Sequence, residues 1–292
     1  MTLETNRGRQ AQTLRKIVSA EKPHIPTKVL AVSSGKGGVG KTNLVANLAY
    51  ALAKNGQRVL VFDADVGLNN IDILLGLVPE FRIGDVFSGK TTMEQVLVTG
   101  PQGIQVLPAS EGWQELTVLS HEQKMVLLEE LDRLSTGFDY LIFDTGAGIS
   151  SNVTYFCSAA HETLLVTNTE PTSHTDVYAL MKILFQKHQQ KRFRLVVNSV
   201  KSEKEALGVF RFLSNVVDRY LPHVTVDYLG HIVQDPNVTK AVRQQKALLE
   251  LYPYSKASVC LNQLANKIIE ERRRFPDGGD QAFLWRSVFQ MQ

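Results

Sequence analysis

Gly35, Lys36, Gly37, Gly38, Val39, Gly40, Lys41 and Thr42 follow one another in an order suited to phosphate chemistry. They satisfy the pattern G-x-x-x-x-G-K-[ST]. Glycines let backbone N–H groups close around anionic oxygens, and a helix starting behind them would present its positive end. Lys41 supplies a point charge for β- and γ-phosphates, and the Thr42 hydroxyl suits Mg²⁺. Lys36 is a second cation in the loop. Either it reaches the nucleotide of a neighbouring subunit or it is a solvated surface lysine. Three aspartates complete the set. Asp63 and Asp65 close one apolar run, and Asp144 closes another before Thr145-Gly-Ala-Gly148. One of the first pair can hold Mg²⁺ through water while the other orients an attacking water, and Asp144 fits a carboxylate on the Mg²⁺ side. A single aspartate after a strand is often only a cap or turn residue. Three around one phosphate loop argue for chemistry. The Thr145-Gly-Ala-Gly148 tail reads as a flexible turn able to sense a γ-phosphate.

Such groups act together only if the chain converges them. Continuous apolar runs at 28–33, 58–63, 104–107, 140–143, 163–167, 193–198 and 225–229 read as strands. Helical spacing appears at 42–54, 122–134, 176–189 and 203–220. The runs are too continuous for half-exposed strands and suit a parallel sheet covered on both faces. The expected fold is α/β, a doubly wound, mainly parallel sheet with helices on both faces. In such a sheet ligands sit beyond the carboxyl ends of the strands, where the loop and all three aspartates would lie.

Composition narrows the remaining options. The chain has 292 residues, 43% hydrophobic and 21% charged, enough apolar material for a sizeable core. No apolar stretch is long enough to span a membrane or to serve as a secretory leader. Cys157 and Cys260 are the only cysteines, which excludes a disulfide scaffold and a Cys-x-x-Cys metal site and suggests a cytoplasmic setting. The net charge of +3 is too mild to imply nucleic acid by itself.

Together these motifs resemble the MinD/ParA group of deviant Walker A ATPases, in the SIMIBI class of P-loop NTPases. The resemblance spans about residues 28–267. It rests on Lys36-Gly-Gly-Val-Gly-Lys41, on a first switch at Asp63-Ala-Asp-Val-Gly-Leu-Asn-Asn70 and on a second at Asp144-Thr-Gly-Ala-Gly148. Thr167-Asn-Thr-Glu170 resembles the group's Thr-Asn-Pro-Glu, with Thr169 replacing proline. Gly230-His-Ile-Val-Gln-Asp235 resembles its loop beside adenine, with Val233 where proline is usual. The resemblance implies ATP/ADP and Mg²⁺ as cofactors. It implies an ATP-dependent homodimer in which Lys36 contacts the other subunit's phosphates. Lys41, Thr42 and Asn43 would hold the nucleotide, and Thr42, Asp63 and Asp144 would serve Mg²⁺. Asp65 would position the hydrolytic water. Asn198, Ile232, Val233 and Asp235 would meet the base, while Glu170 and Asp176 would stand at the nucleotide–dimer interface. Slow hydrolysis would return the switch to an ADP monomer.

The chain's two ends narrow the group. Arg9-Gln-Ala-Gln-Thr-Leu-Arg15 resembles the N-terminal Asp-Gln-Ala-x-x-Leu-Arg motif of the FlhG (FleN/YlxH) family, with Arg9 in place of aspartate. There the motif stimulates the partner GTPase FlhF, implying contact through Gln10, Ala11, Leu14 and Arg15. The family also implies control of flagellar number or placement. Further implied partners are flagellar switch or C-ring proteins or a flagellar transcription activator. At the other end, residues 280–292 place Leu284, Trp285, Val288, Phe289 and Met291 on one helical arc. That arc either binds an anionic membrane or docks on its own domain. The expected organisation is a partner-binding segment at 1–27, an ATPase domain at 28–271, and a linker with a C-terminal amphipathic helix at 272–292. The expected location is cytoplasmic, reversibly peripheral at the inner face of the cell membrane, with a cell pole as one option. A partition or cell-division positioning ATPase of the ParA/MinD kind is the alternative. Specific nucleic-acid binding is not expected for want of a strongly basic surface, and a metal-cluster carrier lacks its cysteines.

Overall fold

The computed structural model describes residues 26–65, 71–108 and 121–274. The segment 9–15, positions 66–70 of the first switch and the helix expected at 280–292 lie outside the described residues. In chain order the elements are β1 (Lys28–Ser34), α1 (Lys41–Lys54), β2 (Val59–Ala64), α2 (Ile71–Leu75), α3 (Ile83–Phe87), α4 (Met93–Val96), β3 (Val98–Thr99), β4 (Gln105–Leu107), α5 (His121–Ser135), β5 (Tyr140–Ala147) and α6 (Ser151–Ala159). They continue with β6 (Glu162–Thr167), α7 (Pro171–His188), β7 (Arg192–Val200), α8 (Glu203–Tyr220), β8 (Thr225–Val233), α9 (Pro236–Arg243), α10 (Leu248–Leu251) and α11 (Lys256–Arg274).

Eight strands form one sheet in the order β3-β4-β2-β5-β1-β6-β7-β8. All pairs are parallel except β3 with β4. Strands two to five lie on one side of β1 and six to eight on the other, so the end of β1 is the topological switch point. Alternation along the strands feeds two cores. Val29, Ala31, Phe62 and Phe143 face α5 to α8, whereas Leu30, Val32, Val61 and Ile142 face α1 and α9 to α11. Beneath the site Phe62, Phe143 and Phe156 pack edge to face with centroids 5.4–5.9 Å apart, an arrangement favoured by the ring quadrupoles.

Two local readings change. The segment after Asp144, expected as a turn, continues β5 through Ala147, because β1 pairs with it past an irregularity that aligns Ser34 with Ala147. The turn comes only at Gly148, with φ +90°. At the far end α11 runs through Arg274, so Arg272 to Arg274 belong to a helix packed on the domain. The sequence reading placed a linker there.

Candidate functional site

The loop between β1 and α1 is shaped by what surrounds it. Gly35 passes so close to α7 that a Cβ would collide with the backbone of Asp176 and Val177. Gly40 has φ +90° and faces the Asn198 side chain, so it meets both a conformational and a steric demand. Ser34 Oγ donates to Lys36 O at 2.9 Å, and Gly148 N donates to Ser34 O at 2.8 Å, tying the loop to the end of β5.

Parallel pairing of β2 with β5 sets Asp63 opposite Asp144. Lys41, 7% exposed, donates from Nζ to Asp144 Oδ1 at 2.8 Å and lies 3.9 Å from Asp65 Oδ2. Asp144 is fully buried, and its Oδ2 has no hydrogen-bond partner. Burial raises its carboxyl, while Lys41 first and the neighbouring Thr42 side chain after it pull it back down. Asp65 is also raised, first by burial and then by the Asp144 charge, against the pull of Lys41. Asp65 Oδ1 faces Gly146, where a Cβ would come within 3.2 Å, so the two switch segments touch at these residues. Asp63 accepts from Asp65 N at 3.1 Å and from Ile71 N at 3.4 Å, bracketing positions 66–70.

This set fits Mg²⁺ with a triphosphate. Among the described residues no group of three or more His, Cys, Asp or Glu forms a metal cage. A buried carboxylate oxygen without a partner, beside a lysine and a threonine hydroxyl, suits instead an ion that keeps its waters and takes phosphate oxygens. Thr42 and Asp144 would hold it, with Asp63 beside them.

The base positions line a cleft of about 180 Å³ formed by Gly40, Asn43, Asn198, Ile232, Val233 and Asp235 with Ser199, Gln234 and Leu261. Two expected base contacts are otherwise engaged. Asn198 Nδ2 donates to Val39 O at 2.7 Å and its Oδ1 accepts from Ser199 N at 2.8 Å. The Asp235 carboxylate accepts from Asn237 N at 2.9 Å and Ala257 N at 3.2 Å, capping α9 and fastening α11. Burial alone would raise that carboxyl, and these backbone donors hold it below its usual range.

Lys36 points away from this cluster. Its Nζ donates to Glu170 Oε2 at 2.6 Å and Thr172 Oγ1 at 3.2 Å, at the start of α7. Both charged side chains are about half exposed, and the hydrogen bond from Lys36 lowers the Glu170 carboxyl. Sequence reasoning named Glu170 and missed Thr172, although its position two residues on, in the first turn of a helix, was a usable sign. It also missed Leu261, which reaches the cleft from a helix more than 200 residues after the loop. No local pattern announces that contact.

A family model described as an AAA domain matches residues 27–197. Over 243 residues the chain is 45% identical to the antiactivator FleN of Pseudomonas aeruginosa, covering 83% of this chain and 86% of that protein. It is 32% identical over 245 residues to the flagellum site-determining protein YlxH of Helicobacter pylori, covering 84% and 83%. The described fold superposes on a chain of the MinC:MinD cell division protein complex of Aquifex aeolicus with a TM-score of 0.70, 28% identity and coverage of 84% and 96%. With its phosphate loop, its second lysine and its three strand-end aspartates, the chain belongs to the FleN/FlhG (YlxH) family of MinD/ParA-type P-loop ATPases.

Proposed function

We propose that the chain is an ATP-dependent dimerising switch that sets flagellar number or placement. The observation that carries this reading is the buried Lys41–Asp144–Asp65 cluster at the end of β1, with Lys36 facing outward above it. Lys41 would leave Asp144 for the phosphates, and Thr42 with Asp63 and Asp144 would hold Mg²⁺. When bound, that ion neutralises charge on the β- and γ-phosphate oxygens. Asp65, close to Lys41 and raised by burial, would orient water and accept its proton. Lys36 would exchange Glu170 for the phosphates of a second copy. The bound γ-phosphate then biases the monomer–dimer equilibrium by differential contact.

The similarity to FleN and YlxH supports the flagellar setting. The partner contact proposed for Gln10, Ala11, Leu14 and Arg15 is FlhF. Flagellar switch or C-ring proteins, or a flagellar transcription activator, would read the dimer. Residues 280–292 would bring it reversibly to an anionic membrane. Among the described residues no helix is long and apolar enough to cross a membrane. The proposed organisation keeps 1–27 for the partner, 28–274 for ATP, because Arg272 to Arg274 close α11, and 275–292 for the surface.

Light scattering on Asp65→Ala with ATP, set against the same variant with ADP, tests the switch. A doubling of mass with ATP alone, abolished by adding Lys36→Gln, is the expected result. A chain that stays monomeric with ATP across a wide concentration range would overturn it.

A further inference from the structure

Two glycines near the end of β5 stand there for opposite reasons. Gly148 has φ +90° and open space where a Cβ would point, a purely conformational demand. Gly146 lies inside β5 and is not among the residues with positive φ. A glycine inside a strand weakens it and often marks the close approach of another group. A Cβ on Gly146 would stand 3.2 Å from Asp65 Oδ1 and 3.8 Å from Asp65 Cγ, with Val153 Cγ2 at an ordinary 3.5 Å. Among the described residues, Asp65 is therefore the group that the missing methyl spares.

The backbone at Gly146 is tied on both sides. Thr145 is fully buried, and its Oγ1 lies 3.1 Å from Val32 O and 3.0 Å from Gly146 O, within donating distance of both. Gly148 N donates to Ser34 O at 2.8 Å. Pairing with β1 sets Asp144 opposite Val32 and Ala147 opposite Ser34, and pairing with β2 sets Thr145 opposite Ala64. The Asp65 carboxylate is the softer partner. Its side chain is 23% exposed, and its Oδ2 lies 3.9 Å from Lys41 Nζ. A side chain at position 146 would push that carboxylate off the surface of β5 and leave the strand ladder intact.

We propose that Gly146 is a positioning residue for hydrolysis. Its bare Cα is the seat on which the Asp65 carboxylate rests, and the seat sets where Asp65 meets the attacking water. The inference rests on the role given to Asp65 under the proposed function and names the residue that holds that role in place. Gly146 acts through Asp65 and not on the nucleotide. Alignment in a reacting complex is steep in distance, and a misplacement of about 1 Å can cost about 10²-fold in rate. Relief of a 3.2 Å contact takes a shift of a few tenths of an ångström, which makes the expected loss about tenfold. Stability responds in the other sense. Alanine loses less backbone freedom in a strand than glycine does, and the carboxylate that must yield is the free end of a side chain.

The test compares the parent with Gly146→Ala, Asp65→Ala and the double variant, each as the full chain with ATP and Mg²⁺. Gly146→Ala is expected to lower kcat about tenfold while KM for ATP stays within about twofold. Without nucleotide it should melt no lower than the parent. The double variant is expected to be no slower than Asp65→Ala, because the group that the seat serves is already gone. A normal kcat in Gly146→Ala would overturn the proposal. So would a raised KM, or a further loss in the Asp65→Ala background, since the space would then serve the nucleotide itself. A kcat that falls together with the melting temperature would assign Gly146 to packing alone and overturn it too. If Asp65→Ala turns over as fast as the parent, the role of Asp65 itself fails. A slow Asp65→Ala beside a normal Gly146→Ala sinks only the seat.

Discussion

At one end of the sheet Lys41 meets Asp144 and Asp65; at the other, Lys28 and Arg194 meet Glu162, and Arg194 also meets Glu271. The residue types match, yet the carboxylates shift in opposite directions. Burial would raise Glu162, but Lys28 at 2.8 Å and Arg194 at 2.9 Å outweigh it and hold the carboxyl low. Asp139, at the same end, is lowered likewise by Arg58 despite its burial. At the loop end burial wins over the single lysine, and both Asp65 and Asp144 are raised. One end is a closed ion network. The other is short of positive charge and has a carboxylate oxygen without a partner. The missing positive charge is what a divalent cation would supply there, and a site left incomplete for function costs stability.

Substitutions at the two ends should therefore separate activity from stability. The largest effect is expected for Asp65→Asn. If Asp65 positions and deprotonates water as proposed, its loss should lower single-turnover phosphate release by about 10²–10⁴-fold. Because burial raises Asp65, its ionised form opposes folding above that raised pKa, and the variant should melt no lower than the parent. A large drop in both quantities would erase the contrast. Glu162→Gln is the converse. Breaking a mostly buried pair leaves Lys28 and Arg194 undercompensated and should cost about 2–4 kcal/mol in urea unfolding, with turnover per folded molecule unchanged.

The same contrast separates what local spacing in the sequence encodes from what only tertiary closeness creates. The loop, the strand-end aspartates and the order of strands and helices follow from local spacing, and helix 203–220 is found with the bounds expected. The closed end was not legible. Lys28, Glu162, Arg194 and Glu271 lie far apart in the chain and join only through strand register. Their types carry no motif, because a satisfied ion network needs only complementary charges within reach. The engagement of Asn198 and Asp235 was hidden for a related reason. A resemblance names positions, while the backbone groups that occupy a side chain depend on tertiary closeness.

His161 offers a finer test of the closed end. Its Nδ1 accepts from Val29 N at 3.0 Å, which requires an unprotonated nitrogen. Burial first, and then Lys28, pushes its pKa down to about 4. Between the ordinary value near 6.5 and that depressed value the unfolded chain binds more protons, so stability falls as pH falls through this window. The loss should approach about 3 kcal/mol by pH 4, since each pKa unit is worth about 1.4 kcal/mol. His161→Gln retains an acceptor for Val29 N but cannot titrate. Urea unfolding of this variant should show a flatter pH dependence than the parent, and parallel curves would remove His161 from the account.

The smallest effect should come from Lys36 and Glu170, an ion pair as short as any at the closed end. Lys36 lowers the Glu170 carboxyl, so the pairing is present above the ordinary carboxylate pKa and fades as pH drops through the lowered one. Both side chains, however, stand about half in water, where salt screens the attraction and side-chain entropy opposes it. Glu170→Gln should accordingly melt with the parent at physiological ionic strength. An exposed contact that costs little to break leaves Lys36 available for other anions. A clear fall in melting temperature would mean that this cation is locked in place like Arg194, and the loop end would then be as closed as the opposite one.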